Sequence, residues 1–272
     1  MDKHVSDKVF GGSIPELYDT CMVPLIFETY ALDITTRLVT RRPMRVLEIA
    51  AGTGVVTRSI VAALPGDVAI VATDISQAML DRAAAVGTDR PIEWRQADAM
   101  QLPFRDALFD AVVCQFGVMF FPDKPNAFAE ARRVLAPGGM LLFNVWDRIE
   151  ENEFAESVTT SLAQLFPDDP PTFLSRLPHG YHDCEAIARD LERGGFTKPP
   201  TIETLAARSR AASPSIPAIA YCHGTPVRNE IEAHGADALV RATKACADGI
   251  AERFGSGEVD GKIQAHIVAV EA

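Results

Sequence analysis

The apolar and polar positions divide the chain into two kinds of territory. Between residues 44 and 146, short aliphatic and β-branched runs alternate with amphipathic stretches, separated by glycine and proline. The run 44–50 (MRVLEIA) breaks into Ala51-Gly52-Thr53-Gly54, and helix-compatible residues then continue through Ala63 to a stop at Pro65-Gly66. That order predicts strand, glycine turn, helix. Residues 68–73 (VAIVAT) predict a second buried strand ending at Asp74. Ser76 is placed to cap a helix over Gln77–Val86, whose Ala78, Leu80 and Ala84 leave one apolar side. A short third strand over 92–95 precedes Asp98, and a fourth over 110–115 (DAVVCQ) precedes Gly117 and the pair Phe120-Phe121. Residues 125–135 read as a helix ending at Pro137-Gly138-Gly139, and 140–146 as a fifth strand. Strands alternating with helices predict a parallel sheet, because parallel neighbours need crossover connections.

After Trp146 the pattern changes. Residues 149–190 are rich in proline, phenylalanine and acids, and carry Pro167-Asp168-Asp169-Pro170-Pro171 and His179-Gly180-Tyr181-His182. Helical stretches over about 153–165 and 184–193 flank that loop. A sixth strand is expected over 201–206, a long helix over 236–254 and a final strand over 262–270. The domain reading is an N-terminal helical lid over 1–43 and a core over 44–148. The remaining strands lie in 149–272, with cap insertions at about 149–190 and 208–261 forming the substrate side.

Composition narrows the classes. With 272 residues, 47% of them hydrophobic, the chain is long enough to bury a substantial core. Its apolar runs are too short to span a bilayer and its first residues, Met1-Asp2-Lys3-His4, do not resemble a signal region, so a cytoplasmic location is expected. Five scattered cysteines without a Cys-x-x-Cys pattern suit reduced thiols. A net charge of −11 argues against nucleic-acid or anionic-membrane partners and leaves a small molecule as the expected one. Oligomeric state, monomer or homodimer, is not legible.

The candidate chemistry sits where the strands end. Ligands of open α/β sheets bind outside the carboxyl ends of the strands, where strand order reverses. Gly52 and Gly54 allow close backbone approach there, and the following helix offers free N–H groups. Asp74 ends strand two and suits the two hydroxyls of a ribose, while Asp98, with the Ala99 backbone, suits an adenine amino group. Thr57 stands where a dinucleotide fingerprint has its third glycine, and the acid Glu48 lies four residues before Gly52. An acid beside the turn disfavours pyrophosphate and suits an ammonium group, which favours S-adenosylmethionine over NAD.

These residues resemble a known family. The segment 46–54 (VLEIAAGTG) looks like motif I of class I S-adenosylmethionine-dependent methyltransferases, and Asp74-Ile75-Ser76 with Met79-Leu80 looks like the acidic loop after strand two. Asp98-Ala99 with Leu102-Pro103-Phe104, then Phe109-Asp110-Ala111-Val112, and Leu135-Ala136-Pro137-Gly138-Gly139 resemble the next motifs. The resemblance covers about 44–146 and is greatest to the ubiquinone/menaquinone-biosynthesis type. Ala50 departs from it, standing where the first motif glycine is usual. The resemblance implies a doubly wound, seven-stranded, mostly parallel Rossmann-like α/β sheet with its last strand antiparallel. It implies a methionine moiety along Glu48, Ala50, Gly52, Thr53 and Gly54, ribose on Asp74, and adenine between Ile75 and Asp98-Ala99. Met79 belongs to the same acidic loop. Gln115 and Phe116 would lie under the methionine and sulfonium, and Tyr18 would close over the cofactor.

On the acceptor side the candidates are His179, His182 and His223 as general bases, and Tyr30, Phe120, Phe121, Trp146 and Tyr181 as an apolar wall. The His179, His182, Asp183 and Cys184 spacing does not read as a metal site, so none is expected. Two rivals to methylation of a small molecule remain. One is a protein that retains S-adenosylmethionine for a different reaction. The other is an NAD-dependent dehydrogenase, which Thr57 and Glu48 disfavour.

Overall fold

The computed structural model describes residues 14–272. Its strands are β1 (Arg45–Ile49), β2 (Ala69–Asp74), β3 (Glu93–Gln96), β4 (Phe109–Gln115), β5 (Leu135–Trp146), β6 (Thr201–Ala211) and β7 (Val259–Glu271). They form one seven-stranded sheet in the order β3-β2-β1-β4-β5-β7-β6. β1 runs parallel to β2 and β4, β2 to β3, and β4 to β5, whereas β7 is antiparallel to β5. This is the expected doubly wound class, with the reversed last strand. The chain winds outward from β1 to β3 and resumes on the other side of β1 at β4. The carboxyl ends of β1 and β4 therefore flank the switch point.

The central strands are buried on both faces, as parallel strands covered by helices must be. Val46, Leu47, Val112, Val113, Leu142 and Phe143 are inaccessible to solvent. The helices, in chain order, are α1 (Ile14–Leu17), α2 (Glu28–Thr40), α3 (Val55–Ala63), α4 (Gln77–Val86), α5 (Lys124–Val134), α6 (Glu153–Leu165), α7 (Phe173–Arg176), α8 (Cys184–Arg193), α9 (Ser215–Gly224), α10 (Val227–Glu232) and α11 (Ala238–Phe254). A π-helical stretch, Tyr18–Phe27, joins α1 to α2. Ser76 caps α4 as its sequence suggests, its Oγ accepting from Met79 N at 3.4 Å. Asp123 does the same for α5 through Asn126 N at 3.1 Å.

Two local expectations are revised. β5 begins at Leu135 rather than at residue 140, because the Pro-Gly-Gly turn is absorbed into the strand. Leu135 pairs with Phe109, and regular pairing resumes with Met140 opposite Ala111, leaving 136–139 as a bulge in which Gly138 has φ +76°. β6 and β7 are both longer than their apolar patterns, so the connection between them shortens to 212–258. Within it, α9 has no amphipathic signature in the sequence, because its buried residues, among them Pro217, Ala218, Ala220, Tyr221 and Cys222, form no single stripe.

The described chain forms two compact units. One, comprising 28–146, 181–205 and 265–272, holds β1 to β5, the first half of β6, the last half of β7, and α2 to α5 with α8. The other, comprising 14–27, 147–180 and 206–264, holds α1, the π-helical stretch, α6, α7 and α9 to α11. In this second unit Gly224 lets α9 approach the π-helical stretch closely: a Cβ there would lie 3.3 Å from Met22.

Candidate functional site

The site grows out of the turn between β1 and α3. Three residues in that turn adopt left-handed backbone, Ala50 (φ 55°), Gly52 (φ 56°) and Gly54 (φ 83°). Glycine does so without steric penalty, whereas alanine pays roughly 1–2 kcal/mol. Ala50 in turn dictates Gly117: a Cβ there would sit 2.5 Å from Ala50 Cβ and 2.8 Å from Cys114 Sγ. The unusual glycine after β4 is thus explained by its neighbour across the switch point. A Cβ on Gly52 would meet nothing within 4 Å, so the turn faces open space. A Cβ on Gly54 would lie 2.8 Å from the Trp94 ring, which makes the second glycine a packing requirement. The Thr53 hydroxyl beside them is buried with no hydrogen-bond partner.

Two acids flank the turn. Glu48 is buried, and its Oε2 accepts from Thr57 Oγ1 at 2.5 Å. Burial pushes its pKa up to about 8; the Thr57 hydroxyl pulls it down, Asp74 pushes it further up, and Arg58 lowers it. The carboxylate expected from the sequence therefore keeps its proton at neutral pH. Thr57, noted in the sequence only as a missing glycine, is the partner that holds this acid. Asp74, 8% exposed, uses both oxygens: Oδ2 accepts from Gly52 N and Oδ1 from Ser76 N, each at 2.8 Å. Burial raises its pKa, and the N–H groups of Ser76, Gly52 and Ile75 offset part of the rise.

Beyond β2, Ile75 leaves an apolar side chain 52% exposed, whereas Met79 is buried in α4. Asp98 Oδ1 accepts from Met100 N at 2.9 Å, and Ala99 is buried beside it. At the end of β4, Phe116 also adopts positive φ, 51°. Asn144, buried near the carboxyl end of β5, anchors it: Phe116 N donates to Asn144 Oδ1 at 2.9 Å and to Asn144 O at 3.2 Å, and Asn144 Nδ2 lies 3.5 Å from Gln115 Oε1. Non-glycine residues held at positive φ cluster at functional sites. Phe116 stacks on Trp146 at 3.8 Å, with Tyr30 edge-on to both rings and its hydroxyl donating to Leu205 O at 3.1 Å. The sequence signal for Asn144 is a lone amide within the otherwise apolar run 140–146 (MLLFNVW).

The structure thus brings Glu48, Ala50, Gly52, Thr53, Gly54 and Asp74 together, with Ile75 continuing β2, Asp98-Ala99 following β3 and Gln115-Phe116 ending β4. Tyr18, His179 and His223 belong to the second unit. Tyr18 stacks on Phe27 at 5.0 Å. His179 is buried, its Nδ1 2.9 Å from the carbonyl of Asp147, the residue after β5. His223 Nε2 lies 2.8 Å from Thr243 Oγ1, and burial lowers its pKa. Thr243 donates its own proton to Leu239 O, so His223 must donate from Nε2. His182 precedes Asp183, the cap of α8. Tyr181 stands apart from the Phe116 cluster. Its hydroxyl donates to Asp190 Oδ2 at 2.9 Å and its ring lies 4.7 Å from Lys124 Nζ, in an open cleft of about 510 Å³.

Turn, paired acids and switch point define an α/β protein of the nucleoside-binding kind. Residues 47–143 match the family described as "Methyltransferase domain". Two curated relatives share the description ubiquinone/menaquinone biosynthesis C-methyltransferase. That of Teredinibacter turnerae is 39% identical over 168 residues, covering 57% of this chain and 67% of its own. That of Idiomarina loihiensis is 33% identical over 145 residues, covering 52% and 53%. Across the first such relatives the chain spans about half of their length. Among solved structures, phosphoethanolamine N-methyltransferase 2 of Haemonchus contortus, in complex with phosphomonomethylethanolamine and S-adenosylhomocysteine, superposes with a TM-score of 0.57 at 17% identity. It covers 97% of this chain and 59% of that one, a likeness of fold. The chain belongs to the S-adenosylmethionine-dependent methyltransferase family.

No helix among the described residues is long and apolar enough to cross a membrane.

Proposed function

We propose that the protein transfers the methyl group of S-adenosylmethionine to an O, N or activated C atom of a small organic molecule, releasing S-adenosylhomocysteine. The observation that carries this reading is the convergence of Glu48 and Asp74 on a glycine turn that faces open space above Gly52. The residues present suit the cofactor. The Asp74 carboxylate accepts from the backbone N–H groups of Gly52, Ser76 and Ile75 and keeps acceptor capacity for a ribose hydroxyl. Glu48 is a neutral acid that an approaching α-ammonium group would ionise. Ile75 offers an exposed apolar surface to a purine face, and Asp98 an acceptor to its amino group.

Bound there, S-adenosylmethionine supplies a methyl group already activated by its sulfonium. What the chain contributes is alignment and exclusion of water, effects worth about 7–11 kcal/mol where geometry is ideal. Gln115 and Phe116, held by Asn144, form the floor assigned to the methionine side. For an acceptor that must lose a proton, the candidate general bases are His179, His182 and His223. The Asp147 carbonyl can only accept, so His179 donates to it from Nδ1.

Calorimetry tests the cofactor assignment: Asp74→Ala is expected to weaken S-adenosylmethionine binding by more than tenfold, and unchanged affinity would defeat it. Accumulation of S-adenosylhomocysteine with candidate acceptors separates methyl transfer from mere retention of the cofactor.

A further inference from the structure

Asp98 and Ala99 lie on a connection, residues 97–108, that has almost no regular structure of its own. β3 stops at Gln96 and β4 starts at Phe109. Something outside the connection must hold it, because an ordered loop needs partners for its backbone groups. Those partners come from one stripe of α5, at Asn126, Glu130 and Arg133, whose spacing of four and three residues puts them on one helix face.

Arg133 carries five N–H donors and all five are used. Nε donates to Glu130 Oε1 at 2.7 Å, and Nη2 to Glu130 Oε2 at 2.8 Å and Leu102 O at 2.9 Å. Nη1 donates to Phe104 O at 2.7 Å and Asp106 Oδ1 at 2.8 Å. Glu130 Oε2 also accepts from Leu102 N at 2.8 Å, so the two side chains grip Leu102 through both its N–H and its carbonyl. Asn126 Nδ2 donates to Met100 O at 3.2 Å. The grip passes directly to Asp98, whose Oδ1 accepts from Met100 N at 2.9 Å and whose carbonyl accepts from Gln101 N at 3.0 Å. A solvent-exposed ion pair alone contributes little. Here two bonds of the guanidinium end on main-chain carbonyls, a fork geometry that a lysine ammonium does not reproduce.

We propose that Arg133, supported by Glu130 and Asn126, is a positioning residue for base recognition, holding Asp98 so that the protein selects a 6-amino purine over a 6-oxo purine. The inference rests on the S-adenosylmethionine reading of the site. A carboxylate accepts from an exocyclic amino group and faces acceptor against acceptor with a 6-oxo group. Sites built to hydrogen-bond one group discriminate strongly against its absence, provided the recognising atom is held in place.

The test compares S-adenosylhomocysteine with S-inosylhomocysteine, which differ in the 6-substituent and in the proton that the 6-oxo form carries on N1, by calorimetry on the full chain. The wild-type protein is expected to prefer the amino form at least tenfold. Arg133→Lys and Arg133→Met are expected to reduce that ratio at least fivefold, and Asn126→Ala at least twofold. General loosening of the fold would weaken both ligands alike and leave the ratio unmoved. Folded Arg133 variants with the wild-type ratio would overturn the inference alone, provided Asp74→Ala still weakens both ligands. If the Arg133 variants do not fold, Asn126→Ala decides, and an unchanged ratio there overturns it. A wild-type protein that binds neither ligand overturns the cofactor reading, and this inference with it.

Discussion

Replacing Glu48 with glutamine isolates one titrating group and asks whether its burial has the energetic consequence that the structure implies. Glu48 is raised from an ordinary 4.5 to about 8, chiefly by burial. Between those values the unfolded chain has lost a proton that the folded protein keeps, so folding takes up a proton and stability falls as pH rises. The contribution is complete below pH 4.5 and gone once pH has passed through about 8. Each pH unit in that window is worth about 1.4 kcal/mol, so the whole window is worth at most ~5 kcal/mol. Glutamine has nearly the same shape, can still accept from Thr57 and does not titrate. Urea unfolding at each pH from 5 to 9, with an unchanged m-value, measures the difference between the two proteins. Asp74 and the other shifted groups are common to both and cancel to first order. The variant should gain on the wild type by several kcal/mol as pH rises from 5 to 8, then run parallel to it. A difference constant within about 0.5 kcal/mol across that range would refute the claim that Glu48 is held neutral.

Cofactor binding should report the same group from the other side: below pH 8, an ammonium ligand paired with Glu48 should release close to one proton, measured as the dependence of calorimetric heat on buffer ionisation enthalpy. Gly117→Ala should cost about 1–3 kcal/mol in thermal or urea unfolding, because its Cβ would collide with Ala50 and Cys114. Combining it with Ala50→Gly should recover at least ~1 kcal/mol of that loss, and strictly additive effects would show that the two positions do not meet. Asn144→Leu should destabilise by about 1–2 kcal/mol, since Phe116 N keeps only its longer bond to the main-chain carbonyl.

The strand and helix order of the core, the glycine turn, the Ser76 cap and the acids at the strand ends were all legible in residues 44–146. They depend on local periodicity and on neighbours a few positions apart, which any reader of the chain can see. Packing set the rest, by bringing together groups that the chain holds far apart. Glu48 is acidic in the sequence, but only its burial turns it into a neutral group at pH 7. Asn144 steadies Phe116 across β4 and β5, and Arg133 grips a loop about thirty residues upstream, contacts with no local pattern to announce them. Of the three histidines, the sequence favours His179 and His182 over His223. The tautomers of His179 and His223 follow from a carbonyl at Asp147 and a hydroxyl at Thr243, partners that only the folded chain supplies. A residue's type and spacing are written in the chain, whereas its charge state, its hydrogen-bond partner and its strain belong to whatever the fold packs around it.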